Sequence, residues 1–250
     1  MKNNYIKVTY MLIMVLMVTS ACVSKKDMIY FQNEEAVKNA LLNEYAPKIQ
    51  TDDLLSIFVS AEDVESSNPF NLYEGGQGAA QRPINYLVTP NGMITFPVLG
   101  EIKVAGFTTN ELKALLISKL TLYIKKPIVT IRLENFRISV LGEVKSPGAF
   151  SILNEQVSIP EALALAGDLT IQGKRKNILL LRKNGDQMES IRLDLTDKSI
   201  FKSPYYYLAQ NDILYVEPNR AKVNSSAIGT TSSLISIATA VLSLVLILTR

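Results

Sequence analysis

The chain of 250 residues has no histidine and a single cysteine, Cys22. Zinc sites made of Cys and His, Ser/His/Asp triads and Cys/His dyads all need histidine. Its absence excludes most hydrolase mechanisms and leaves carboxylates, lysine and tyrosine as the remaining catalytic groups. We therefore expect no metal and no cofactor.

The chain also has little net charge. Its formal charge is +3 at pH 7, and its basic residues are scattered apart from the triplet Lys174, Arg175 and Lys176, which we interpret as a solvated loop. This balance does not indicate binding to nucleic acid. With 48% hydrophobic and 20% charged residues, the sequence predicts one or two compact domains between two apolar ends.

The cysteine follows an apolar segment near the start of the chain. Two lysines precede the run Tyr10–Val18, and small residues lie directly before Cys22. This order predicts a signal peptide over residues 1–21, with Cys22 as the lipid attachment site of a bacterial lipoprotein. Thr19 departs from that pattern, which usually has Leu or Val. The alternative is an uncleaved anchor with an incidental cysteine.

A second apolar segment lies at the other end. No charged residue occurs between Lys222 and Arg250, and a helix from Ser226 to Thr249 would be about 36 Å long, enough to cross a bilayer core of about 30 Å. We predict a hinge and a C-terminal transmembrane helix within residues 219–250. Its small and hydroxylated residues recur at spacings of three and four: Ser225, Gly229, Ser232, Ser236, Thr239 and Ser243.

These six residues, the hydroxyl stripe, share one face of the predicted helix. Small residues let membrane helices approach closely, and hydroxyl groups can bond to a neighbouring helix or face water. The stripe therefore predicts either a pore lining or a helix–helix contact. A simple tail anchor that merely tolerates these residues remains the alternative.

The first half of the remaining chain alternates strand and turn signals. Leu54–Ser60 predicts a core strand, and residues 65–85 have the glycine and proline content of a long loop. Tyr86–Val88 and Met93–Phe96 predict a hairpin around Asn91-Gly92. Further signals predict a strand, a helix with a capping box, and another strand: Ile102–Val104, Thr108 to about Tyr123, and Ile128–Leu133.

One six-residue pattern occurs twice. Val98–Lys103 is VLGEIK and Val140–Lys145 is VLGEVK, each with a glycine three residues later and a capped helix beyond, the second beginning at Ser158. We infer two related strand-turn-helix modules. Four glycines are expected to serve backbone geometry at turns: Gly100, Gly106, Gly142 and Gly148. In the second module strands outnumber helices, so the fold class is α+β with mixed or antiparallel pairing.

Several of these segments resemble a known family. Residues 86–112 (YLVTPNGMITFPVLGEIKVAGFTTNEL) resemble the polysaccharide biosynthesis/export domain. Residues 136–150, 159–170 and 206–218 resemble the soluble-ligand-binding β-grasp domain that follows it. Together with the lipoprotein signal and the C-terminal helix, the chain resembles the outer-membrane polysaccharide export lipoproteins. It shows one β-grasp module where larger relatives carry two or more.

The resemblance implies the following organisation: signal peptide 1–21, linker 22–45, export domain 46–134, β-grasp domain 135–218, and hinge with transmembrane helix 219–250. It implies a ring-shaped homo-oligomer whose C-terminal helices form an outer-membrane pore for capsular or extracellular polysaccharide. The protein would be held in outer-membrane lipid with its body in the periplasm, would work with an inner-membrane polysaccharide co-polymerase, and would not be an enzyme.

Two other functions remain open at this point. The chain is alternatively a membrane-tethered periplasmic glycan-binding module without a pore, in which Tyr205, Tyr206 and Tyr207 stack on sugar rings. An enzyme acting on glycan needs only two carboxylates and no histidine. No Asp/Glu pair in the sequence has a recognisable arrangement for that chemistry.

Overall fold

The computed structural model describes residues 25–33, 46–74, 82–185 and 187–225, together with Ser236, Thr239 and Ser243. These residues form a mixed α+β structure with two hydrophobic cores, as the sequence predicts for the fold class. The first core lies between Ile49 and Ile131, and the second between Phe136 and Val216. We call the two parts the first body and the second body. The limits predicted for the domains remain predictions.

Strand β1 is the centre of the first body. Its side chains alternate, with Leu55, Ile57 and Val59 buried. It lies in the middle of an antiparallel sheet with the order β4-β1-β7. The elements of this body are β1 (Leu54–Ser60), α1 (Val64–Ser67), a 3-10 helix (Asn68–Phe70), β2 (Tyr73–Glu74), β3 (Arg82–Pro83), β4 (Tyr86–Leu87), β5 (Met93–Phe96), β6 (Gly100–Lys103), α2 (Thr109–Leu120) and β7 (Ile128–Leu133).

Helix α2 covers one face of this sheet. A capping box defines its start, because the Thr108 hydroxyl accepts from the Glu111 amide while the Glu111 carboxylate accepts from the Thr108 amide. Leu112, Leu116 and Leu120 recur every fourth residue, so they form one buried stripe.

The second body contains a five-stranded sheet, a separate two-stranded sheet, a short α-helix and a 3-10 helix. The strand order is β12-β11-β14-β8-β9; β14 and β8 are parallel and the other neighbours antiparallel. Its elements are β8 (Arg137–Gly142), β9 (Gly148–Ser151), β10 (Val157–Ser158), α3 (Ile159–Leu165), β11 (Gly173–Asn184), β12 (Gln187–Leu193), a 3-10 helix (Lys198–Lys202), β13 (Tyr207–Leu208) and β14 (Ile213–Pro218). Ser158 and Glu161 form the second capping box, at the start of α3.

The predicted hairpin is wrong in its pairing. The turn is present, since the Thr89 amide donates to the Met93 carbonyl at 2.9 Å. However, β4 pairs with β1, while β5 pairs with β6. The chain reverses again just after β5, where Val98 has a φ of 65°, and β6 becomes the partner of β5.

The repeated six-residue pattern is not a structural repeat. Val98 lies in the turn before β6, whereas Val140 is a buried residue of β8. Gly148, predicted to lie at a turn, belongs to β9 and pairs with Val140. The prediction of two related strand-turn-helix modules is therefore wrong for this pattern, because its two copies occupy different positions in their sheets.

Two connecting segments are also more ordered than the sequence suggests. Residues 25–33, predicted as part of a linker, pack on the second body; we call them the strap. Residues 220–225, predicted as a hinge, are helical. The Asn219 side chain accepts from the Lys222 amide at 3.0 Å and so caps this helix. The predicted 65–85 loop contains β2, β3 and most of α1.

Most of the predicted transmembrane helix lies outside the described residues. Within the part that the structure describes, no helix is both long and apolar enough to cross a membrane. Ser236, Thr239 and Ser243 are helical and exposed. The transmembrane helix therefore stays a prediction.

Candidate functional site

The strap attaches to the second body through its backbone. The Phe31 amide donates to the Leu195 carbonyl at 3.0 Å, and the Lys198 amide donates back to the Gln32 carbonyl at 3.1 Å. The Tyr30 hydroxyl donates to a carboxylate oxygen of Asp168 at 2.6 Å. Burial is the main reason that the pKa of Tyr30 is raised well above its ordinary value.

The strap begins a continuous row of aromatic rings. Neighbouring ring centroids are 5.7, 5.1, 5.3 and 4.9 Å apart. We call these five residues the aromatic row: Tyr30, Phe31, Phe201, Tyr206 and Tyr207. Such spacings suit tilted and edge-on ring contacts. The row therefore connects the strap with two of the three tyrosines that the sequence suggested for glycan contact.

The third tyrosine is held by an ion pair. The Arg182 guanidinium binds the fully buried Asp212 carboxylate at 2.6 to 3.1 Å and lies over the Tyr205 ring at 5.4 Å. It also donates to the Tyr207 carbonyl at 3.0 Å. The ion pair of Arg182 and Asp212 therefore holds the backbone of the tyrosine run in place.

The three tyrosines are partly exposed in the structure. Tyr205 and Tyr206 pack against the edge of the second core, and burial raises the pKa of Tyr206. Sequence reasoning missed Phe31 and Phe201, the other rings beside them. No local signal marks these two residues, because they meet the tyrosines only through tertiary contacts.

A basic cavity of about 330 Å³ lies at one end of the second body. Lys174, Arg175 and Lys176 line it from β11, Asp27 from the strap, and Arg220 from the start of the last described helix. The prediction that this basic triplet is a solvated loop is wrong. The triplet belongs to a strand, where alternation turns its middle residue inward.

Arg175 is that middle residue, and it is only 7% exposed. One terminal nitrogen donates to the Gly173 carbonyl at 3.1 Å and to the Thr170 carbonyl at 3.4 Å. The guanidinium carbon lies 5.2 Å from the centre of the Tyr30 ring. Its Nε is buried without a hydrogen-bond partner among the described residues. The side chain also forms no ion pair with a described carboxylate.

Other basic side chains beside the cavity form ion pairs with two carboxylates. Lys176 contacts Asp27 at 2.6 Å, and Lys174 contacts Glu217 at 2.9 Å. Arg192 also binds Glu217, at 2.7 Å. Hydrogen bonds from Arg192 and Lys174 lower the pKa of the Glu217 carboxyl to about 2. The cavity wall keeps an excess of positive charge.

The predicted turn glycines differ in what surrounds them. Gly100, Gly106 and Gly142 have φ values of 72°, 92° and 90°. A Cβ on Gly142 would lie 2.1 Å from the Val216 carbonyl oxygen, whereas a Cβ on Gly100 would meet nothing within 4 Å. Gly142 is thus required for the close approach of β8 and β14.

The remaining predicted site residues are those of the two membrane segments. Cys22, Gly229 and Ser232 lie outside the described residues. The Ser225 hydroxyl donates to the Lys222 carbonyl at 2.8 Å, and the Thr239 hydroxyl to the Ser236 carbonyl at 2.9 Å. Lipid attachment and the role of the hydroxyl stripe remain predictions. Across the described ranges, no group of three or more Cys, Asp and Glu residues could hold a metal ion.

Comparison with known proteins gives a family match within each body. Residues 42–134 match the family model described as polysaccharide biosynthesis/export protein, and residues 137–191 match the SLBB domain. Two relatives are named EPS I polysaccharide export outer membrane protein EpsA. The one from Ralstonia nicotianae is 36% identical over 162 residues, and the one from Ralstonia solanacearum is 32% identical over 182 residues.

These alignments include 60% and 68% of this chain, but only 42% and 48% of the relatives. The chain therefore spans less than half the length of either relative.

Proposed function

Because this chain belongs to the polysaccharide biosynthesis/export protein family, we propose that it is an outer-membrane lipoprotein that takes part in exporting polysaccharide. The family is one of export proteins rather than enzymes. In this proposal Cys22 carries lipid, the body lies in the periplasm, and an inner-membrane co-polymerase delivers capsular or extracellular polysaccharide.

One observation carries the membrane part of the proposal. The strap, which starts three residues after Cys22, and the helix that leads toward the predicted transmembrane segment line the same cavity of the second body, through Asp27 and Arg220. In this proposal the two predicted membrane attachments would therefore leave one end of one body. Such an arrangement suits a protein whose lipid and transmembrane helix both enter the membrane beside the same end of the second body.

We infer a β-grasp fold for the second body. Its two outer hairpins, β8-β9 and β11-β12, flank the central strand β14, which is parallel to β8, and α3 is the helix between the hairpins. The SLBB match over residues 137–191 supports this inference.

The proposal also includes a channel through the outer membrane. A single helix satisfies its own backbone in lipid but conducts nothing, whereas a closed ring of helices with one polar face each can line water. The hydroxyl stripe supplies such a face in each subunit of a ring-shaped homo-oligomer. Ser236, Thr239 and Ser243 are helical and exposed, which supports this role.

Leucine substitutions along the stripe test the channel. We expect Ser232→Leu, Ser236→Leu and Ser243→Leu each to lower surface polysaccharide at least fivefold in a complemented deletion strain, because leucine narrows the path and removes a hydroxyl. Flow cytometry with a polysaccharide-specific lectin or antibody measures display. Protein level and lipidation should not change.

Ser233→Leu is the matched control, because Ser233 is the same residue type one position off the stripe. It should leave display unchanged. If all three stripe variants display polysaccharide normally, the segment is a plain anchor.

The aromatic row favours a second candidate function, a tethered glycan-binding module without a pore. Its five successive rings are partly exposed on the second body, and aromatic rings suit contact with sugar rings. Particle images of the full lipoprotein in detergent decide between the two. Ring-shaped particles of several subunits would support the channel. Monomers with both attachments intact would support the binding module.

A further inference from the structure

The basic cavity is lined by a buried arginine for which the described residues supply no ion-pair partner. Arg175 is 7% exposed, its Nε has no hydrogen-bond partner among the described residues, and no described carboxylate forms an ion pair with it. A buried cation without a counter-charge is costly. An anion in the cavity would supply a counter-charge, in addition to the carbonyl oxygens of Thr170 and Gly173 that Arg175 already contacts.

The other residues that line the cavity also favour binding of an anion. Lys174, Lys176 and Arg220 add three positive charges, and Asp27 is the acidic residue that lines the cavity with them. Asn219 adds an amide group. Arginine and lysine are the side chains that commonly bind phosphate, arginine through paired N–H donors. A volume of about 330 Å³ is in the range of small-molecule pockets and suits a headgroup-sized ligand.

The position of the cavity narrows the source of that anion. Asp27 lies five residues after Cys22, and Lys25 only three, so the chain between Cys22 and Lys25 spans at most about 11 Å. On the other side, Arg220 begins the helix that leads toward the predicted membrane segment. If both ends are attached as proposed, the cavity faces the lipid headgroups.

We propose that this cavity binds the phosphate of an anionic lipid headgroup, which seats the second body on the membrane between its two attachments. The inference rests on the proposed function, because it needs the chain to be tethered to lipid at both ends. Arg175 and Arg220 bind the phosphate, while Lys174 and Lys176 hold the wall in place through Glu217 and Asp27.

Native mass spectrometry of the full-length lipoprotein in detergent tests the proposal. The probe is phosphatidylglycerol, and diacylglycerol, which lacks the phosphate, is the lipid control. We expect retained phosphatidylglycerol per subunit, no retained diacylglycerol, and at least a fivefold loss of retention in Arg220→Gln. Arg220 is exposed, so this variant keeps the fold.

Lys183→Gln is the matched control variant. Lys183 is an exposed cation on the same strand, seven residues from Lys176 and so roughly 23 Å away. Its retention should equal that of the unmodified chain. Arg175→Met should abolish retention; hydrogen exchange of β11 shows whether that variant is folded, and Arg220→Gln decides the matter if it is not.

Four results would overturn the proposal. These are equal retention in Arg220→Gln and Lys183→Gln, retention of diacylglycerol, displacement of the lipid by millimolar inorganic phosphate, and binding of polygalacturonate in place of the lipid. The third would identify free phosphate as the ligand, and the fourth an acidic glycan. A deletion strain that displays polysaccharide normally would instead overturn the proposed function, while the lipid measurement on purified protein would still stand.

Discussion

The two bodies treat buried carboxylates in different ways. Asp53 of the first body is 1% exposed; one of its oxygens accepts from the Gln50 amide at 2.7 Å and the other has no partner among the described residues. Asp212 of the second body is paired with Arg182 and also accepts from the Ala209 amide at 2.8 Å. The first body shapes a turn with a lone carboxylate, and the second uses an ion pair to position its tyrosines.

The repeated sequence pattern shows the same contrast. Gly100 follows a turn beside open space, whereas Gly142 lies against the backbone of β14. Similar residues are thus tolerant in one body and tightly constrained in the other. The strap, the aromatic row and the basic cavity all belong to the second body, so the constrained body is also the one with the candidate binding surfaces.

The largest difference is expected between Gly142→Ala and Gly100→Ala. At Gly142 the new Cβ would lie 2.1 Å from the Val216 carbonyl oxygen, so β8 and β14 must separate, at a cost of more than about 3 kcal/mol. At Gly100 only the left-handed backbone is penalised, by about 1 to 2 kcal/mol. Hydrogen-exchange mass spectrometry resolves the two bodies by peptide. Equal loss of protection in both variants would contradict the comparison.

The next effect is a pH dependence confined to the first body. Burial raises the pKa of Asp53 from 3.8 to about 6, so the folded state holds its proton more tightly than the unfolded state does. Stability should therefore fall as the pH rises from about 4 to 6 and stay lower above it. Two pH units correspond to about 3 kcal/mol. Asp53→Asn should remove this slope in rate-corrected hydrogen exchange of β1 and β4.

Glu217 provides the control of opposite sign. Its pKa is lowered from 4.5 to about 2, so its stabilisation is present above about pH 4.5 and is lost as the pH falls toward 2. The side chain is 22% exposed, and we expect only about 1 kcal/mol from it. Glu217 should make the second body more stable as the pH rises from about 2 to 4.5. If the first body also became more stable as the pH rose from about 4 to 6, the assignment of its pH dependence to Asp53 would be refuted.

The smallest expected effect is the loss of a helix cap, which should be similar in the two bodies. Thr108→Ala and Ser158→Ala each remove one capping box, and each should cost about 1 kcal/mol. The loss of protection should stay within α2 in the first variant and within α3 in the second. Melting of both helices in either variant would show that the bodies unfold as one unit.

Local signals predicted much of the fold. Leu54–Ser60 and Ile128–Leu133 form strands with the predicted limits, and both capping boxes start helices where expected. These signals depend on alternation and on side chains three residues apart, which a single sequence shows. The family was also predicted correctly, because its motifs are long and in order.

Pairing and burial could not be read in the same way. Nothing local indicates that β4 joins β1 rather than β5, since both pairings satisfy the turn at Gly92. The strap was missed because Tyr30 meets Asp168, a residue 138 positions away. The basic cavity was missed because three consecutive basic residues look solvated until a strand turns Arg175 inward.

The contacts of the strap lead us to expect that it completes its fold after the two cores. Contacts between residues so far apart close a long loop, which costs entropy and makes them late to form. The first body can be finished while the surface that receives Phe31 has not yet been synthesised. The aromatic side chains of the strap are therefore exposed longest during folding, and changes there should speed unfolding of the strap without slowing the folding of either core. We therefore expect the strap, which is synthesised before either body, to be the last of these segments to pack.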